Sequence, residues 1–435
     1  MACLHNRPWW HATLPRETAD TGCQEIPAFI WEMYRNPLRY RDKRYRNVLL
    51  NHLENNSCLV SKKGLFLSLQ SYCESNHDIN LLDIIPKTFY LISGEQIAEG
   101  QRSRNMVDFI AFNDHERQLA EDNRLSSNTS DKSLENDIIW IVKPAARTNR
   151  GFGIQVVRGF EEVLHVVNRS VNSNKSKVVT GGIDTDHNLT AGDIKESRAA
   201  KFAGVREGWI VQLYLKKPML VCGRKFDVRC FVLVTHFQCQ GLRAYYFNDA
   251  YVRTSSKKYS LISLRDREAH LTNDSVQNRS KTYGLYEAGN KLSFSEWQAA
   301  VHNDYPDAEA NIVNGKFRPE MMKLCAITIA ATAEKLQKTI VNNSFELLGY
   351  DYMIDHQFKP TLIEVNSNPC LEFVCPLLVD IISSLIDNVV RVTLDTLLPP
   401  PPKNLRTSSC QQAVEEINRL EDKFIQIFPK IASLT

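Results

Sequence analysis

The sequence lacks the features of a secreted, membrane-spanning or metal-thiolate protein. Its eleven cysteines form no CxxC pair and no regular framework, which indicates reduced thiols rather than a disulfide scaffold or a zinc site. It contains no run of about 18 apolar residues that would predict a membrane-spanning helix. The first residues, MACLHNRPWW, contain no apolar stretch typical of a signal peptide. We therefore expect a soluble, intracellular protein.

The sequence also has little net charge and no recognisable nucleophilic triad. Its 435 residues carry a formal net charge of +3 at pH 7, so the chain as a whole does not have the charge of a nucleic-acid binder. No Ser-His-Asp or Cys-His arrangement is discernible. The chemistry-bearing groups are instead lysines, arginines and carboxylates. Such a set suits a reaction in which the protein positions reactants and neutralises charge, as phosphoryl transfer requires.

The segment Gly349–Pro369, GYDYMIDHQFKPTLIEVNSNP, is the most informative stretch of the chain. Two apolar-rich runs, Tyr350–Asp355 and Pro360–Asn366, flank the polar loop His356–Lys359. This pattern predicts a pair of antiparallel strands joined by a short loop.

Three oxygen-bearing side chains share one face of this predicted hairpin. If the four-residue loop is symmetric, Asp351 lies directly opposite Glu364, and Asn366 follows two residues later on the same face. Two carboxylates and an amide oxygen on one patch repel each other unless a cation lies between them. Hard oxygen ligands suit Mg²⁺, which takes its remaining ligands from water and phosphates. The hairpin thus predicts a magnesium–nucleotide site, and the alternative interpretation is a surface hairpin with solvated acids.

A lysine and a glycine loop follow an apolar strand. The strand DIIWIVKP ends near Lys143, and a lysine in that place must reach solvent or meet an anion. The next residues include Arg147, Arg150, Gly151 and Gly153. Glycine allows backbone N–H groups to approach phosphate oxygens. The segment predicts a flexible phosphate cover, although a short GxG loop by itself is more often a simple turn.

Two further strands carry polar residues within apolar runs. The run Trp209–Leu215 (WIVQLYL) is interrupted by Gln212 and predicts either a plain core strand or a strand whose edge cradles adenine. In RKFDVRCFVLV, the residues Lys225, Asp227 and Arg229 share one face. We interpret the two cations as facing phosphate oxygens and Asp227 as orienting them or a substrate amine. A structural salt-bridge ladder is the alternative.

Two later segments offer additional polar groups. Arg253, in YVRTSS, follows two strands later and could supply another cation to the same cleft. The segment His270–Asn273 (HLTN) offers polar side chains, and we expect its histidine to be a hydrogen-bonded structural residue.

Strand and helix patterns interleave between these motifs, which predicts an α/β or α+β architecture with mixed sheets. The expected strands are Ile138–Lys143, Gly153–Val157, Trp209–Leu215, Asp227–Val234, Leu242–Phe247 and the late hairpin. The expected helices are Glu161–Arg169 and Pro319–Thr339, with polar loops at Glu116–Asn136 and Ser170–Gly208. After Pro399–Pro402, apolar residues recur at helical spacing, so Gln411–Ile427 predicts one amphipathic helix that packs back on the body or recruits a partner.

The order of these motifs resembles the tubulin tyrosine ligase-like family, a branch of the ATP-grasp superfamily. The resemblance covers roughly residues 45–402 and rests on WIVKP, the glycine loop, WIVQLYL, RKFDVR, YVRTSS, HLTN, YGLYEAGN and GYDYMID–LIEVNSNP. It implies an α+β ATP-grasp fold with mixed and antiparallel sheets, an N-terminal α/β domain, and ATP between a central and a C-terminal domain. The expected divisions are an N-terminal domain (1–85), a central domain (86–208), a C-terminal catalytic domain (209–402) and an amphipathic helical tail (403–435).

The resemblance also implies a role for each candidate residue. Mg²⁺ would be held by Asp351, Glu364 and Asn366. The implied catalytic residues, which serve the substrate and an acyl phosphate, are Lys225, Asp227, Arg229 and Arg253. The implied ATP-binding residues are Lys63, Lys143, Arg150, Gly151, Gly153, Gln212, Leu213, Tyr214, Leu215, Lys225 and Asn273. In SKKGL, either Lys62 or Lys63 would face the γ-phosphate.

The activity that the resemblance implies is ATP-dependent amide formation on tubulin tails. A tail carboxylate would become an acyl phosphate, from which the amine of a free amino acid displaces phosphate. Glutamate is the expected amino acid, with glycine or tyrosine as alternatives. A non-tubulin acidic acceptor and a catalytically silent microtubule-binding module also remain open. The expected partners are tubulin and a free amino acid, without nucleic acid or membrane. The expected location is cytoplasmic microtubules, including those of cilia, flagella or basal bodies.

A basic segment near the N-terminus is a second feature of interest. Its six basic residues are Arg35, Arg39, Arg41, Lys43, Arg44 and Arg46, interleaved with Tyr34, Tyr40 and Tyr45. This segment predicts either a docking surface for the acidic tubulin tail or the microtubule, or an ordinary solvated helix face.

Overall fold

The computed structural model describes residues 7–10, 26–92, 104–126, 137–145, 153–172, 208–337 and 343–429. In chain order, their strands are β1 (Phe29–Ile30), β2 (Leu49–Leu50), β3 (Thr88–Leu91), β4 (Ile139–Pro144), β5 (Gln155–Arg158), β6 (Trp209–Leu213), β7 (Leu220–Val221), β8 (Arg224–Phe237), β9 (Gly241–Phe247), β10 (Tyr251–Lys258), β11 (Lys291–Ser293), β12 (Ser344–Ile354), β13 (Pro360–Ser367) and β14 (Phe424–Phe428). The α-helices are α1 (Pro37–Arg41), α2 (Ser57–Val60), α3 (Lys62–Ser75), α4 (Arg104–Ser126), α5 (Gly159–Asn172), α6 (Arg267–His270), α7 (Asp274–Gln277), α8 (Phe294–Asp304), α9 (Arg318–Gln337), α10 (Pro376–Leu397) and α11 (Ser408–Arg419).

The larger sheet is built around the antiparallel pair β8 and β12. Their ladder runs from the pair His236–Ser344 to the pair Val228–Tyr352. The other edge of β8 pairs with β10 near its start and with β9 near its end. The other edge of β12 pairs antiparallel with β13 and parallel with β2. The predicted mixture of parallel and antiparallel pairing is therefore confirmed.

The alternation of β8 determines what lies on each face of this sheet. Val228 and Cys230 belong to a core that also includes residues of α3 and α9. Phe231 and Leu233, on the opposite face, belong to a second core built with α10. The charged residues of β8 lie on this second face, because side chains two positions apart share a face. Helix α10 covers the apolar part of this face of β8. The charged residues of β8 lie on the same face, outside the part that α10 covers.

The smaller sheet has the strand order β3–β6–β4–β5, with all of its neighbours antiparallel. Trp140, Val142 and Val211 pack there with Phe109 of α4 and Val163 of α5. Strand β6 pairs within this smaller sheet. The domain boundary expected at residue 209 instead groups β6 with the strands of the catalytic domain. Likewise β1 and β2 join the larger sheet rather than a separate N-terminal sheet.

Two predictions of local structure were wrong. Residues 116–126 lie in helix α4 rather than in a polar loop. The helix predicted over Gln411–Ile427 ends at Arg419, and Phe424–Phe428 forms strand β14, which pairs with β9. One edge of β9 offers backbone hydrogen-bonding groups to β14. The spacing of apolar residues within Gln411–Ile427 contains no information about that partner. Among the described residues, no helix combines the length and apolar character needed to cross a membrane.

Candidate active site

A row of charged residues crosses four neighbouring strands of the larger sheet. Arg229 on β8 is directly opposite Asp351 on β12, and Asp351 is directly opposite Glu364 on β13. On the other side of β8, Asp227 is opposite Arg253 of β10. Directly opposed residues point to the same face of a sheet. The strand order therefore places these five side chains, drawn from distant parts of the chain, on one surface.

The members of this row form ion pairs. Arg229 Nε lies 2.5 Å from Asp351 Oδ1, and Arg253 Nη2 lies 2.9 Å from Asp351 Oδ2. Arg253 Nε also donates to Asp227 Oδ1 at 2.5 Å. All four groups are buried. The salt-bridge ladder that was the alternative interpretation is thus present, and it continues into the half-exposed Glu364.

Arg229, Arg253 and Asp351 are charged at neutral pH. Burial by itself would raise the pKa of Asp351, but Arg229 and Arg253 outweigh it and lower that pKa to about 2. Burial would lower the pKa of Arg229, yet Asp351 raises it above its ordinary value. At Asp227 burial dominates and raises the pKa of the carboxyl, against the opposing effect of Arg253. Asp351 is therefore the anion that holds both guanidinium groups.

Asp351, Glu364 and Asn366 form the predicted set of magnesium ligands. The amide Nδ2 of Asn366 donates to Asp351 Oδ2 at 3.1 Å and to Glu364 Oε1 at 3.2 Å. An amide nitrogen thus lies between the two carboxylates, and a half-turn of the amide would present its oxygen there instead. No group of three or more His, Cys, Asp or Glu side chains that could hold a metal occurs in the described part of the chain. Two carboxylates and an amide oxygen fit a Mg²⁺ ion that takes its other ligands from phosphates and water.

Lys143 faces this row from the smaller sheet. Its Nζ donates to Gln212 Oε1 at 3.0 Å, and Gln212 Nε2 donates in turn to Thr88 Oγ1 at 2.9 Å. Burial lowers the pKa of Lys143 to about 8, with Glu364 acting to raise it. Its electrostatic interactions with Glu364 and Asp351 indicate that its ammonium lies close to the row. Gln212, which interrupts the apolar run of β6, orients this lysine.

Lys225, on β8 of the larger sheet, is a second buried lysine. Its Nζ lies 2.9 Å from Tyr214 Oη, 3.0 Å from the backbone carbonyl of His270 and 4.5 Å from the centre of the Tyr214 ring. Burial lowers the pKa of Lys225 to about 7, Asp227 raises it, and Lys143 lowers it further. Both lysines are therefore close to their titration points near neutral pH. A polyanion bound between them would favour their charged forms.

The remaining predicted residues occupy varied positions. Lys63 Nζ lies 4.7 Å from the centre of the Tyr90 ring, whereas the charge of Lys62 lowers the pKa of Lys143. Of the two candidate lysines, Lys62 is thus the one whose charge acts on Lys143. Asn273 begins the short helix α7 without capping it through its side chain. Leu213 and Leu215 are half-buried, Gly153 has φ +74°, and Arg150 and Gly151 lie outside the described residues.

Thr272, Tyr214 and Gly349 take part in the site in ways that the sequence patterns do not show. Thr272 Oγ1 donates a short hydrogen bond to Asp227. Tyr214 contacts Lys225 through both its hydroxyl and its ring. At Gly349 a Cβ would lie 3.3 Å from Nε of Arg229, so only glycine leaves this guanidinium its present space. These contacts join residues far apart in sequence, and no local pattern contains them.

The basic segment near the N-terminus precedes a stretch that is attached to the start of β12. Glu346 of β12 accepts hydrogen bonds from Leu53 N–H and from Asn56 Nδ2. Two of its arginines are already paired, Arg39 with Glu32 and Arg44 with Asp42. Arg41, Lys43 and Arg46 are exposed, as are the apolar side chains of Trp31, Met33, Tyr34 and Leu38. Only α1 and one following turn are helical in this segment, so it is not a continuous helix face.

Comparison with known proteins identifies the family of this chain. A model of the tubulin-tyrosine ligase family matches residues 41–405. Tubulin glycylase 3D of Tetrahymena thermophila is 30% identical over 263 residues, which is 60% of this chain and 21% of that protein. The Mus musculus probable tubulin polyglutamylase TTLL9 is 31% identical over 239 residues, 54% of this chain and 49% of the relative. The Homo sapiens inactive polyglycylase TTLL10 is 31% identical over 273 residues, 62% of this chain and 36% of the relative.

The matched regions differ in how much of each protein they cover. The chain spans less than half the length of each of these three relatives. The family model, in contrast, matches most of this chain and includes every charged residue of the row and both buried lysines. The chain therefore belongs to the tubulin-tyrosine ligase family.

Proposed function

We propose that the protein is an ATP- and Mg²⁺-dependent ligase that joins a free amino acid to a carboxylate of a tubulin tail. One observation carries this proposal. Two buried arginines and two buried lysines, drawn from the two sheets, lie close to the partly exposed oxygen ligands Glu364 and Asn366. Such a concentration of cations matches a reaction that brings a triphosphate and two carboxylates together.

Each residue of the site has a role in this proposal. Lys143, with Lys62 nearby, would bind the nucleotide phosphates, and Lys225 would bind them from the opposite side. Arg229 and Arg253 would neutralise charge on the acceptor carboxylate and on the phosphoryl group that activates it. Asp351 holds both guanidinium groups in place. Mg²⁺, held by Asp351, Glu364 and Asn366, would supply further neutralisation of phosphate charge.

The order of bond changes follows from the proposed reaction. An oxygen of the acceptor carboxylate attacks the terminal phosphorus, and the nucleoside diphosphate leaves. The amine of the amino acid then attacks the acyl carbon, inorganic phosphate leaves, and the amine loses a proton as the amide forms. The cations of the row would stabilise the oxyanion at the acyl carbon.

The proposed amino acid is glutamate, and glycine is the first alternative. The relatives include a protein named as a glycylase and one named as a probable polyglutamylase, at 30% and 31% identity, so the comparison favours neither. Another relative is named as inactive, which makes a silent tubulin-binding module the second candidate function. Against that candidate, the row and both lysines are present, and Lys143 and Lys225 are each held by a hydrogen bond to a neighbouring side chain.

Intact-mass analysis of tubulin tests the proposal. Tubulin is incubated with the protein, Mg-ATP and either glutamate, glycine or tyrosine, and each added residue gives a distinct mass increment. Glu364→Gln is the matched control, and we expect it to lower the rate by about a hundredfold or more without unfolding the protein. Full activity of this variant would contradict the metal assignment. Tubulin binding without nucleotide binding by the wild type would favour the silent module.

The proposed docking surface for the acidic tail is the exposed part of the basic segment. Its exposed cations include Arg41, Lys43 and Arg46, and the exposed apolar side chains of Tyr34 and Leu38 lie in the same segment. Trp31, just before the segment, and Pro369, just after β13, line the same small cavity, so the surface extends towards the metal ligands. An acidic peptide with apolar side chains is complementary to it.

Charge reversal tests this surface. The triple variant R41E/K43E/R46E should weaken tubulin binding by about tenfold or more at low salt and leave Mg-ATP affinity unchanged. The control reverses three exposed cations elsewhere, K258E/K403E/R419E, and matches the change in net charge. Equal weakening by both triple variants would show that only total charge matters.

A further inference from the structure

A buried lysine extends the charged row to a fifth strand. Lys291 on β11 is directly opposite Arg253 on β10, and directly opposed residues point to the same face of a sheet. The Lys291 side chain is fully buried, and its Nζ lies 2.5 Å from Asp274 Oδ1 and donates to the backbone carbonyl of Gly289 at 2.9 Å. This ion pair holds Asp274, the first residue of α7, beside the end of the row.

Asp274 differs from the two buried carboxylates of the row in the use of its oxygens. Asp227 and Asp351 each use both carboxylate oxygens for arginines or a hydroxyl group of the protein. In Asp274, Oδ1 is paired with Lys291, and no donor among the described residues bonds to Oδ2. The Asp274 side chain is 34% exposed, so a ligand can reach it from solvent.

Tyr251 shows that Asp274 lies close to the centre of the row. Tyr251, on β10, is directly opposite Arg229 and is 2% exposed. Burial raises the pKa of Tyr251 to about 12, and Arg229 and Arg253 act to lower it. Asp274 and Asp351 act to raise the same pKa. One phenol is therefore within electrostatic range of Asp274 and of the charged groups at which the proposed reaction takes place.

We propose that Asp274 binds the amine of the incoming amino acid and directs it towards the acyl phosphate. The inference rests on the proposed function, because it assigns the amine site of that same reaction. The cations of the row attract carboxylates and phosphates but repel an ammonium group. Binding of an ammonium group therefore requires a carboxylate oxygen that no cation of the protein occupies. Oδ2 of Asp274 is such an oxygen, and Lys291 fixes its direction by holding Oδ1.

The bound amine reacts in its neutral form. The ammonium first gives one proton to water, and the electron pair left on nitrogen forms the C–N bond to the acyl carbon. The C–O bond to phosphate breaks, and inorganic phosphate leaves with that bonding pair. A second proton leaves nitrogen as the amide forms. Asp274 orients the nitrogen through a hydrogen bond and takes up no proton itself.

Hydroxylamine separates this amine site from the earlier phosphoryl transfer. It is a small nucleophile, uncharged at pH 7, that converts an acyl phosphate into a hydroxamate without a bound amino acid. Tubulin and Mg-ATP are incubated with the enzyme and either hydroxylamine or graded concentrations of glutamate, or of glycine if the wild type adds glycine. Intact-mass analysis distinguishes the two products.

D274N should affect only the reaction with the amino acid. We expect the KM for the amino acid to rise about tenfold or more, because one charge-assisted hydrogen bond to the ammonium is lost. Hydroxamate formation should stay within about twofold of the wild-type rate, and so should ligation at a saturating amino-acid concentration. D274E keeps the carboxylate and should recover most of the affinity.

D266N is the matched control for the loss of one negative charge. The Asp266 side chain is also 34% exposed and also pairs with a lysine, since its Oδ2 lies 3.2 Å from Lys257 Nζ. Its side chain caps α6, and asparagine is an equally good cap. The KM for the amino acid should stay within about twofold in this variant.

A double variant keeps the test valid if D274N does not fold. D274N/K291M removes the buried ammonium together with its partner, so no uncompensated charge remains in the sheet. Its KM for the amino acid should rise as much as that of D274N, with hydroxamate formation preserved.

An analogue without the amine tests which group Asp274 recognises. The α-hydroxy acid with the same side chain, α-hydroxyglutarate for glutamate or glycolate for glycine, carries a hydroxyl group in place of the ammonium. Its inhibition constant against the amino acid should differ less than about twofold between the wild type and D274N. The variant should thus lose the wild-type preference for the amine.

The possible failures are distinguishable. A wild type that forms hydroxamate, together with a KM that D274N leaves unchanged or that D266N raises equally, would overturn this inference alone. A parallel fall of hydroxamate formation and ligation in D274N would also overturn it, because Asp274 would then support the row rather than bind the amine. A wild type that forms neither hydroxamate nor the amide would overturn the proposed function and this inference with it.

Discussion

Strand β12 carries two buried carboxylates, Glu346 and Asp351, and their surroundings differ in kind. Glu346 accepts from the backbone N–H of Leu53 at 2.9 Å, from Asn56 Nδ2 at 2.8 Å, and lies 3.0 Å from His52 Nδ1. All three partners belong to one short segment before α2. Asp351 is held by guanidinium groups of two different strands and by the amide of Asn366. The two carboxylates lie on opposite faces, because they are five positions apart along the strand, an odd number.

This difference distinguishes a carboxylate with structural contacts only from one that belongs to the proposed site. The Glu346 cluster is closed, since its side chain is 1% exposed and its partners fix the N-terminal segment to the sheet. The Asp351 cluster continues into the half-exposed Glu364 and Asn366. Burial and a full set of partners are common to both, so neither property identifies the site. The site is identified instead by the row of charged side chains to which Asp351 belongs, because that row continues to the partly exposed Glu364.

The largest expected effect is that of Asp351→Asn. This change leaves the guanidinium groups of Arg229 and Arg253 buried without their shared anion, so we expect a loss of about 3–5 kcal/mol of unfolding free energy. Urea denaturation followed by circular dichroism measures it. A loss below about 1 kcal/mol would show that the pairs are not the main support of the row.

Glu346→Gln should have a smaller effect on stability and none on nucleotide binding. The amide keeps one acceptor oxygen but turns an NH₂ group towards donors, so we expect a loss of about 1–3 kcal/mol. Calorimetric titration with Mg-ATP should give an affinity within about twofold of the wild-type value. A large loss of affinity would mean that the two carboxylate clusters are coupled through β12.

Nucleotide affinity should depend on pH through the two buried lysines, Lys143 and Lys225, and not through the Glu346 cluster. The pKa values of Lys143 and Lys225 are about 8 and about 7, and bound phosphates would raise both. Their contribution to affinity is then complete below the free-protein pKa and is lost as pH rises through the bound-state pKa. We expect the affinity for Mg-ATP to fall about tenfold between pH 7 and pH 9, with proton uptake on binding.

Calorimetry in buffers of different ionisation enthalpy measures this proton uptake. Lys143→Met should reduce it, whereas Glu346→Gln should leave the pH profile unchanged. An affinity that does not change with pH would contradict the assignment of these two lysines to the phosphates.

The smallest expected effect comes from Gly349→Ala. The added Cβ would lie 3.0 Å from Cβ of Pro369 and 3.3 Å from Cδ of Arg229, so the guanidinium must shift. We expect about 1 kcal/mol of destabilisation and a several-fold loss of ligase rate. Gly315→Ala is the matched control, because a Cβ there meets nothing within 4 Å. Equal behaviour of the two variants would mean that the position of Arg229 tolerates small shifts.

The hairpin shows how far local pattern can predict structure. The predicted pairing of Asp351 with Glu364 is confirmed. The ladder nevertheless starts from Ile354 opposite Pro360, which leaves five loop residues rather than four, and an irregularity after Asp351 restores the predicted register. Alternation of apolar residues predicts which side chains share a face, whereas a bulge depends on neighbours outside the hairpin.

The C-terminal segment shows the opposite case. The apolar residues from Val414 to Ile427 fit a helical period, and α11 does form over Ser408–Arg419. The last of these residues form β14, because the edge of β9 that faces away from β8 is available for pairing there. Short apolar runs fit either structure, and the available partner decides between them.

The sequence by itself determined the strands that carry the charged row on β8, β12 and β13, the face on which these charged residues lie, and the family to which the motifs belong. These properties depend on residue spacing and side-chain chemistry, which are local. Only the tertiary structure decided that β8 lies between β10 and β12, and so that Arg253, Asp227, Arg229 and Asp351 meet in one row. It also decided that Tyr214 and His270 hold Lys225. Strand order and the packing of distant segments depend on the burial of the whole chain, and no short stretch of sequence contains that information.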